Sequence, residues 1–191
     1  MLFGAAYAKA MAETSAYLKT QFTGENEWYT PSEYLEIVRE FFGGTIELDA
    51  ASSDAAQEEV RARTYFTKVD DALARNWFGR VWLNPPYSQP EIAHFVTKLV
   101  REFSAKRVTE AILLTHNFTD TAWFHETASA AAAICFTKGR IKFYNAAGLG
   151  VASTQGSAFT YFGNRWADFA AHFMSVGFVV RVQCAEPEQA A

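Results

Sequence analysis

The run Arg80-Val81-Trp82-Leu83-Asn84-Pro85-Pro86-Tyr87-Ser88-Gln89-Pro90-Glu91 sets out a strand, an abrupt stop and a helix start in one short span. Val81, Trp82 and Leu83 are apolar and β-prone. Two consecutive prolines end the strand, because proline has no N–H for a ladder and cannot continue a helix. Ser88-Gln89-Pro90-Glu91 then has the form of a capping box, followed by Ile92, Phe95, Val96, Leu99 and Phe103 on one helical face.

The same rhythm extends in both directions. Upstream, Thr30-Pro31-Ser32-Glu33 predicts a second capping box with proline at the first helical position. Tyr34, Leu35, Val38, Phe41 and Phe42 follow at helical spacing, and Gly43-Gly44 ends the helix. Thr45 to Asp49 reads as a short strand closing on an acid and the small residues Ala50-Ala51-Ser52-Ser53. A polar helix from Asp54, a short strand at Thr64 to Thr67 and an acidic turn at Asp70-Asp71 come next.

Downstream, the pattern predicts strand Ala111–Leu114, a helix from about Thr121 to Ala132, and strand Ala133–Phe136. A long loop, Lys138 to Ser157, leads to strand Phe159–Phe162, a helix carrying Trp166, Phe169, Ala170 and Phe173, and a last strand Phe178–Val182. Alternating strands and helices imply an α/β protein with a mostly parallel central sheet, helices on both faces and an antiparallel C-terminal strand. The expected organisation is an N-terminal arm or helix over 1–26, a single domain over 27–184 and a flexible tail over 185–191.

Composition agrees with one folded domain: 191 residues, 50% hydrophobic, 16% aromatic and 20% charged, which excludes disordered, collagenous and coiled-coil chains. Seventeen basic against 21 acidic residues give a formal charge of −4, which disfavours a partner held by bulk positive charge. Cys135 and Cys184 show no metal spacing, and no basic region leads into an apolar run with a cleavage site. The expectation is therefore a reduced, cytoplasmic protein. No uninterrupted run reaches the ~18 apolar residues of a membrane span. His94, His116, His125 and His172 lack an i, i+4 partner, and neither a Gly-x-Ser-x-Gly elbow nor a phosphate-binding glycine loop occurs. Metal, nucleophilic-serine and triphosphate chemistry drop out on that ground, and core or surface positions are expected for the histidines.

Chemistry concentrates at Asn84-Pro85-Pro86-Tyr87, because open α/β sheets bind ligands outside the carboxyl ends of their strands. The Asn84 side-chain oxygen and the Pro85 carbonyl are two fixed acceptors, and the Tyr87 ring can stack on a flat group. Such a site suits a planar amine; the bland alternative is a proline-stiffened turn with Tyr87 in the core. Asp49 could accept from a cofactor or cap the following helix, and Asp70 or Asp71 could accept from a nucleobase amine or stay solvated. Thr30 is accounted for as a helix cap, with Trp28 and Tyr29 as a staple.

Taken in order, Glu27-Trp28-Tyr29-Thr30-Pro31, Leu48-Asp49-Ala50-Ala51-Ser52, Asp70-Asp71-Ala72-Leu73, Trp82 to Ser88 and Gly139-Arg140-Ile141-Lys142-Phe143 resemble the bacteriophage-type DNA N6-adenine methyltransferase family. The resemblance implies a Rossmann-like methyltransferase fold, S-adenosylmethionine as donor, adenine N6 in double-stranded DNA as acceptor, and no metal. It implies that Asn84, Pro85, Pro86 and Tyr87 form the catalytic motif. Tyr29, Thr30 and Pro31 would line the methionine end of the cofactor, Asp49, Ala50 and Ser52 its loop, and Asp70 or Asp71 its adenine amine. Two positions depart from the family pattern: Ala50 stands where proline is expected and Ala72 where glycine is expected, so close backbone approach to the cofactor is less assured.

The charge objection has a local answer in two basic runs. One is Lys138, Arg140 and Lys142; the other is Lys98, Arg101, Lys106 and Arg107, offset by Glu102. Either could contact phosphates or be solvated surface, and the loop from Tyr144 to Ser157 is the candidate for base-sequence contacts. Alternatives of the same chemistry are methylation of cytosine N4, an RNA base or a protein glutamine; a different class is an inactive DNA-binding module. A monomer or weak dimer is expected, in the host cytoplasm if the gene is a phage's.

Overall fold

The computed structural model describes residues 28–145 and 148–183. The expected arm over 1–26, the tail over 185–191 and Cys184 lie outside the described residues.

Chain order is helix α1 (Ser32–Phe41), β1 (Leu48–Asp49), α2 (Asp54–Val60), β2 (Thr64–Tyr65), a 3-10 turn (Lys68–Asp70), β3 (Gly79–Leu83), α3 (Glu91–Ser104) and β4 (Val108–His116). Then follow α4 (Ala122–Ala130), β5 (Ala133–Thr137), the hairpin β6 (Lys142–Tyr144) and β7 (Gly150–Ala152), β8 (Ser157–Phe162), α5 (Trp166–Phe173) and β9 (Gly177–Arg181). Seven strands form one sheet in the order β2-β1-β3-β4-β8-β5-β9. Strands β2, β1, β3 and β4 are parallel; β8 enters antiparallel between β4 and β5, and β9 pairs antiparallel with β5. This is the expected Rossmann-like α/β sheet.

Alternation along the strands divides the core. Trp82, Ile112, Leu114, Phe159 and Tyr161 face α1 and α5, where Leu35, Val38, Phe41, Phe169 and Phe173 meet them. Val81, Leu83, Ala111, Leu113 and Phe162 face α3 and α4, against Ile92, Val96, Leu99, Trp123 and Phe124. Both faces are covered, so the central strands read as nearly continuous apolar runs. Gly43 (φ 71°) and Gly44 (φ 92°) take the left-handed backbone that closes α1, their N–H groups donating to Glu40 and Arg39 carbonyls.

Three local expectations are corrected. Neither capping box forms: α1 is capped by Pro31 and α3 by Pro90, without a side-chain bond at either. Proline's fixed φ is compatible with helix entry. Thr30 thereby lies one residue ahead of the α1 cap, and the Ser88 carbonyl, not its hydroxyl, receives the Ile92 N–H at 3.0 Å. Between Thr45 and Asp49 only Leu48–Asp49 is strand. The long loop contains the β6–β7 hairpin, with Phe143 opposite Val151.

Candidate functional site

Strand β1 lies between β2 and β3: the chain passes from β1 to β2 on one side and then crosses to β3 on the other, and this reversal of strand order opens a crevice at the carboxyl ends of β1 and β3. Asp49 ends β1, and Asn84 follows the last residue of β3. The β1–β3 register pairs Asp49 with Trp82, which sets the two side chains on neighbouring strand ends.

Asn84 is held at both ends of its amide. Its Nδ2 donates to the Thr30 hydroxyl at 3.1 Å, and its Oδ1 accepts from the Tyr87 hydroxyl at 2.7 Å. The Tyr87 oxygen also lies 3.3 Å from the Leu114 carbonyl. Burial raises the Tyr87 phenol above its ordinary pKa, so it remains a donor. A carbonyl oxygen has two lone pairs, so Oδ1 keeps one for a further donor. Pro85 is buried and Pro86 exposed. The proline pair holds the Pro85 carbonyl rigid beside Asn84.

Thr30 is itself buried, 6% exposed, and is not a cap. The segment that carries it is strapped to the hairpin, since Tyr29 and Tyr144 exchange backbone hydrogen bonds of 2.7 and 3.1 Å. Pro31 is buried beside it.

Asp49 is 2% exposed and does not cap α2; Ser53 does, accepting from the Ala56 N–H. The Asp49 carboxylate accepts from the Ala51 N–H at 3.3 Å and from Gln57 Nε2 at 2.8 Å, and Gln57 Nε2 also reaches Ser52 Oγ at 2.7 Å. Desolvation outweighs these bonds and raises the Asp49 pKa to about 6. The glycine-free loop is stitched down at both ends, Ala50 N–H to the Trp82 carbonyl and Ser52 N–H to the Phe66 carbonyl.

The two acids after β2 separate. Asp70 accepts from the Thr67 N–H and hydroxyl, both at 2.8 Å; these bonds cap the 3-10 turn and lower its pKa. Asp71 is exposed, and its side chain makes no hydrogen bond among the described residues.

A cavity of about 210 Å³ opens beside Tyr87. Ile92, Phe118 and Trp123 supply its apolar walls, with Tyr87, Gln89, His116 and Thr121 as its polar members. His116, the last residue of β4, is the site residue that sequence reasoning missed. The only signal for it was a histidine ending the strand next to the Asn-Pro-Pro-Tyr strand. Its ring meets the Tyr87 ring edge-on at 4.3 Å and the Phe118 ring at 5.2 Å. Burial, aided by the charge of Arg140, lowers its pKa to about 4. Among the described residues no group of three His, Cys, Asp or Glu side chains could hold a metal ion, and no helix is long and apolar enough to cross a membrane.

The two basic runs also part ways. Lys138, Arg140 and Lys142 are exposed, while Ile141 and Phe143, which alternate with Arg140 and Lys142, are buried, so alternation turns those two cations outward. The α3 run divides: Lys98 is 8% exposed and pairs with the 1% exposed Glu102 at 2.8 Å, and Arg107, itself exposed, also bonds to Glu102. That cluster braces α3 against the loop before β4. Arg101 and Lys106 remain exposed, so only Lys98 is withdrawn from the cationic surface.

A model of the DNA N-6-adenine-methyltransferase (Dam) family matches residues 18–185. A DNA N-6-adenine-methyltransferase of Escherichia phage T1 is 34% identical over 110 residues, covering 56% of this chain and 42% of that protein. Another, of Haemophilus phage HP1, is 27% identical over 128 residues, covering 66% of this chain and 70% of the relative. The chain thus spans less than half the length of the T1 relative. A solved structure from Pyrococcus horikoshii, described as a candidate RNA methyltransferase, aligns with a TM-score of 0.48 at 10% identity, over 73% of this chain and 87% of that one.

Proposed function

This chain belongs to the DNA N-6-adenine-methyltransferase (Dam) family, and from that premise we propose that it transfers a methyl group from S-adenosylmethionine to N6 of an adenine flipped out of duplex DNA. The observation that carries the reading is Asn84, oriented at the β1/β3 crevice by Thr30 and Tyr87 together.

The donor set at the crevice fits the cofactor. Asp49 is a buried carboxylate with acceptor capacity beyond Ala51 and Gln57, suited to hydroxyl or ammonium donors. Asp71, exposed just past the 3-10 turn that follows β2, is free to accept from an adenine amine where Asp70 is already occupied. Tyr29, Thr30, Pro31, Ala50 and Ser52 complete the set. When bound, S-adenosylmethionine supplies a sulfonium methyl that is already electrophilic.

The acceptor is the harder problem, because the N6 lone pair of adenine is delocalised into the ring. Asn84 Oδ1 and the Pro85 carbonyl each accept one N6 hydrogen, which draws the nitrogen toward tetrahedral geometry and localises its lone pair. Tyr87 fixes the amide so that oxygen, and not nitrogen, faces the amine. The Tyr87 ring and the apolar walls of the adjoining cavity take the flipped base, whose N6 is inaccessible inside a duplex. Lys138, Arg140 and Lys142 contact backbone phosphates, a local basic face on an acidic protein.

Incubation with tritiated S-adenosylmethionine and duplex DNA, followed by digestion to nucleosides, tests the reading. Label is expected on N6-methyldeoxyadenosine. Label confined to N4-methyldeoxycytidine, RNA or protein would redirect the acceptor assignment, and absence of label over varied DNA would overturn it.

A further inference from the structure

We propose that His116 reads the acceptor base, donating a hydrogen bond from its imidazole N–H to a ring nitrogen flanking the amine of the flipped adenine. The inference rests on the methyl-transfer reading above and assigns a specificity residue outside the Asn-Pro-Pro-Tyr motif.

The first support is position. Strands β3 and β4 are parallel neighbours with Leu83 opposite Leu113, so the residues that leave their carboxyl ends, Asn84 to Tyr87 and Thr115 to His116, run side by side. Edge contact with Tyr87 at 4.3 Å and a tilted contact with Phe118 at 5.2 Å fix the imidazole plane at the wall of the cavity.

The second is an unmet requirement. His116 Nδ1 is buried and has no hydrogen-bond partner, and Thr115 Oγ1 and Ser157 Oγ share that condition. Ser157 is the residue paired with His116 across β8. Three of the four such atoms among the described residues therefore gather where β4 and β8 meet at this end of the sheet. A buried polar atom left unpaired costs about 1–3 kcal/mol, so the end of the sheet that forms this cavity wall carries unmet polar demand.

The third is elimination among the cavity's donors. The Tyr87 hydroxyl is committed to Asn84 Oδ1 or the Leu114 carbonyl. The Thr121 hydroxyl donates to the Phe118 carbonyl at 2.8 Å, and Gln89 is exposed. His116 is the remaining polar member of the cavity wall. Once Asn84 and Pro85 have taken both N6 hydrogens, the flanking ring positions of adenine, N1 and N7, are acceptors only. Their complement must be a donor. A neutral imidazole carries one N–H, and burial keeps this ring neutral, so it reads the base without adding charge to the pocket.

The test pairs protein and base changes. Duplexes carrying adenine, 1-deazaadenine or 7-deazaadenine at the methylated position are compared by kcat/KM with the wild type, His116→Leu and His116→Asn, whose amide can still donate. Wild type is expected to lose roughly 10- to 100-fold on the one analogue that lacks the nitrogen read. That analogue identifies the atom as N1 or N7. His116→Leu should lose a similar factor on adenine and none further on the analogue, and His116→Asn should regain part of the discrimination. Equal loss by His116→Leu on all three bases, with the wild-type preference intact, would show a packing role and overturn the proposal. So would a wild type that neither analogue slows, an outcome that needs no variant to fold. Wild-type transfer to unmodified adenine in the same assay separates these failures from failure of the methyl-transfer reading, which would remove the proposal's premise and with it the proposal.

Discussion

The Thr30 hydroxyl accepts a hydrogen bond from Asn84 Nδ2 at 3.1 Å, across 54 residues of chain. The segment just ahead of α1 is thereby tied to the carboxyl end of β3, and the Asn84 amide is set before any substrate arrives. Thr30→Val keeps the shape and removes the acceptor. Methyl transfer should slow about tenfold, the worth of one hydrogen bond near 1.4 kcal/mol, while S-adenosylhomocysteine and DNA affinities change only a few-fold. Thr30→Ser should restore the rate in single-turnover assays; an unchanged Thr30→Val rate would remove the orienting role.

Asn84→Ala deletes the acceptor itself. A fall of roughly 10²–10³ in kcat is expected, comparable to losing one preorganised group that acts in the transition state, with cofactor binding preserved by calorimetry. Tyr87→Phe removes only the donor to Oδ1 and should cost about tenfold. Loss of cofactor binding in either variant would place the motif in the cofactor site instead.

Asp49 gives a pH signature. Its carboxyl is raised from 3.8 to about 6 by burial, so between those values the native state holds a proton that the unfolded chain has released. The group's contribution to stability therefore falls as pH rises from about 4 to 6. Ligand binding should run the other way: hydroxyl or ammonium donors need the ionised carboxylate, so S-adenosylhomocysteine affinity should drop as pH falls below about 6. Calorimetry across this range checks it, and Asp49→Asn should bind more weakly with a flat profile.

Glu102 is a structural anion. Arg107, Lys98 and their hydrogen bonds hold its pKa below the usual carboxylate value, so its stabilisation is present at neutral pH and is lost as pH falls through the lowered folded value. Glu102→Ala leaves the buried Lys98 unpaired and should cost about 3–5 kcal/mol in urea unfolding. Lys98→Gln should leave the salt dependence of DNA binding unchanged.

Arg140 and Lys142 should behave oppositely. Each substitution to alanine is expected to weaken DNA binding uniformly across sequences and to reduce the slope of log K against log salt by about 0.9 for each phosphate no longer neutralised. A slope equal to wild type in the double variant would move the DNA face elsewhere.

The strand ending in Asn84-Pro85-Pro86-Tyr87, the apolar faces of α1 and α3, the Gly43-Gly44 stop and the α/β order all follow from the sequence by itself. Each is set by local physics: the period of apolar side chains, proline's missing N–H and glycine's left-handed backbone. Five ordered sequence blocks likewise pointed to the family. Only tertiary structure decided what the polar side chains do. Thr30 stands in the sequence of a helix cap and serves Asn84; Lys98 stands in a basic run and is spent on Glu102; His116 carries no motif and ends up unpaired beside Tyr87. A polar group takes the partner that packing brings within about 3 Å, and that partner comes from another strand or helix, at a separation no local pattern encodes.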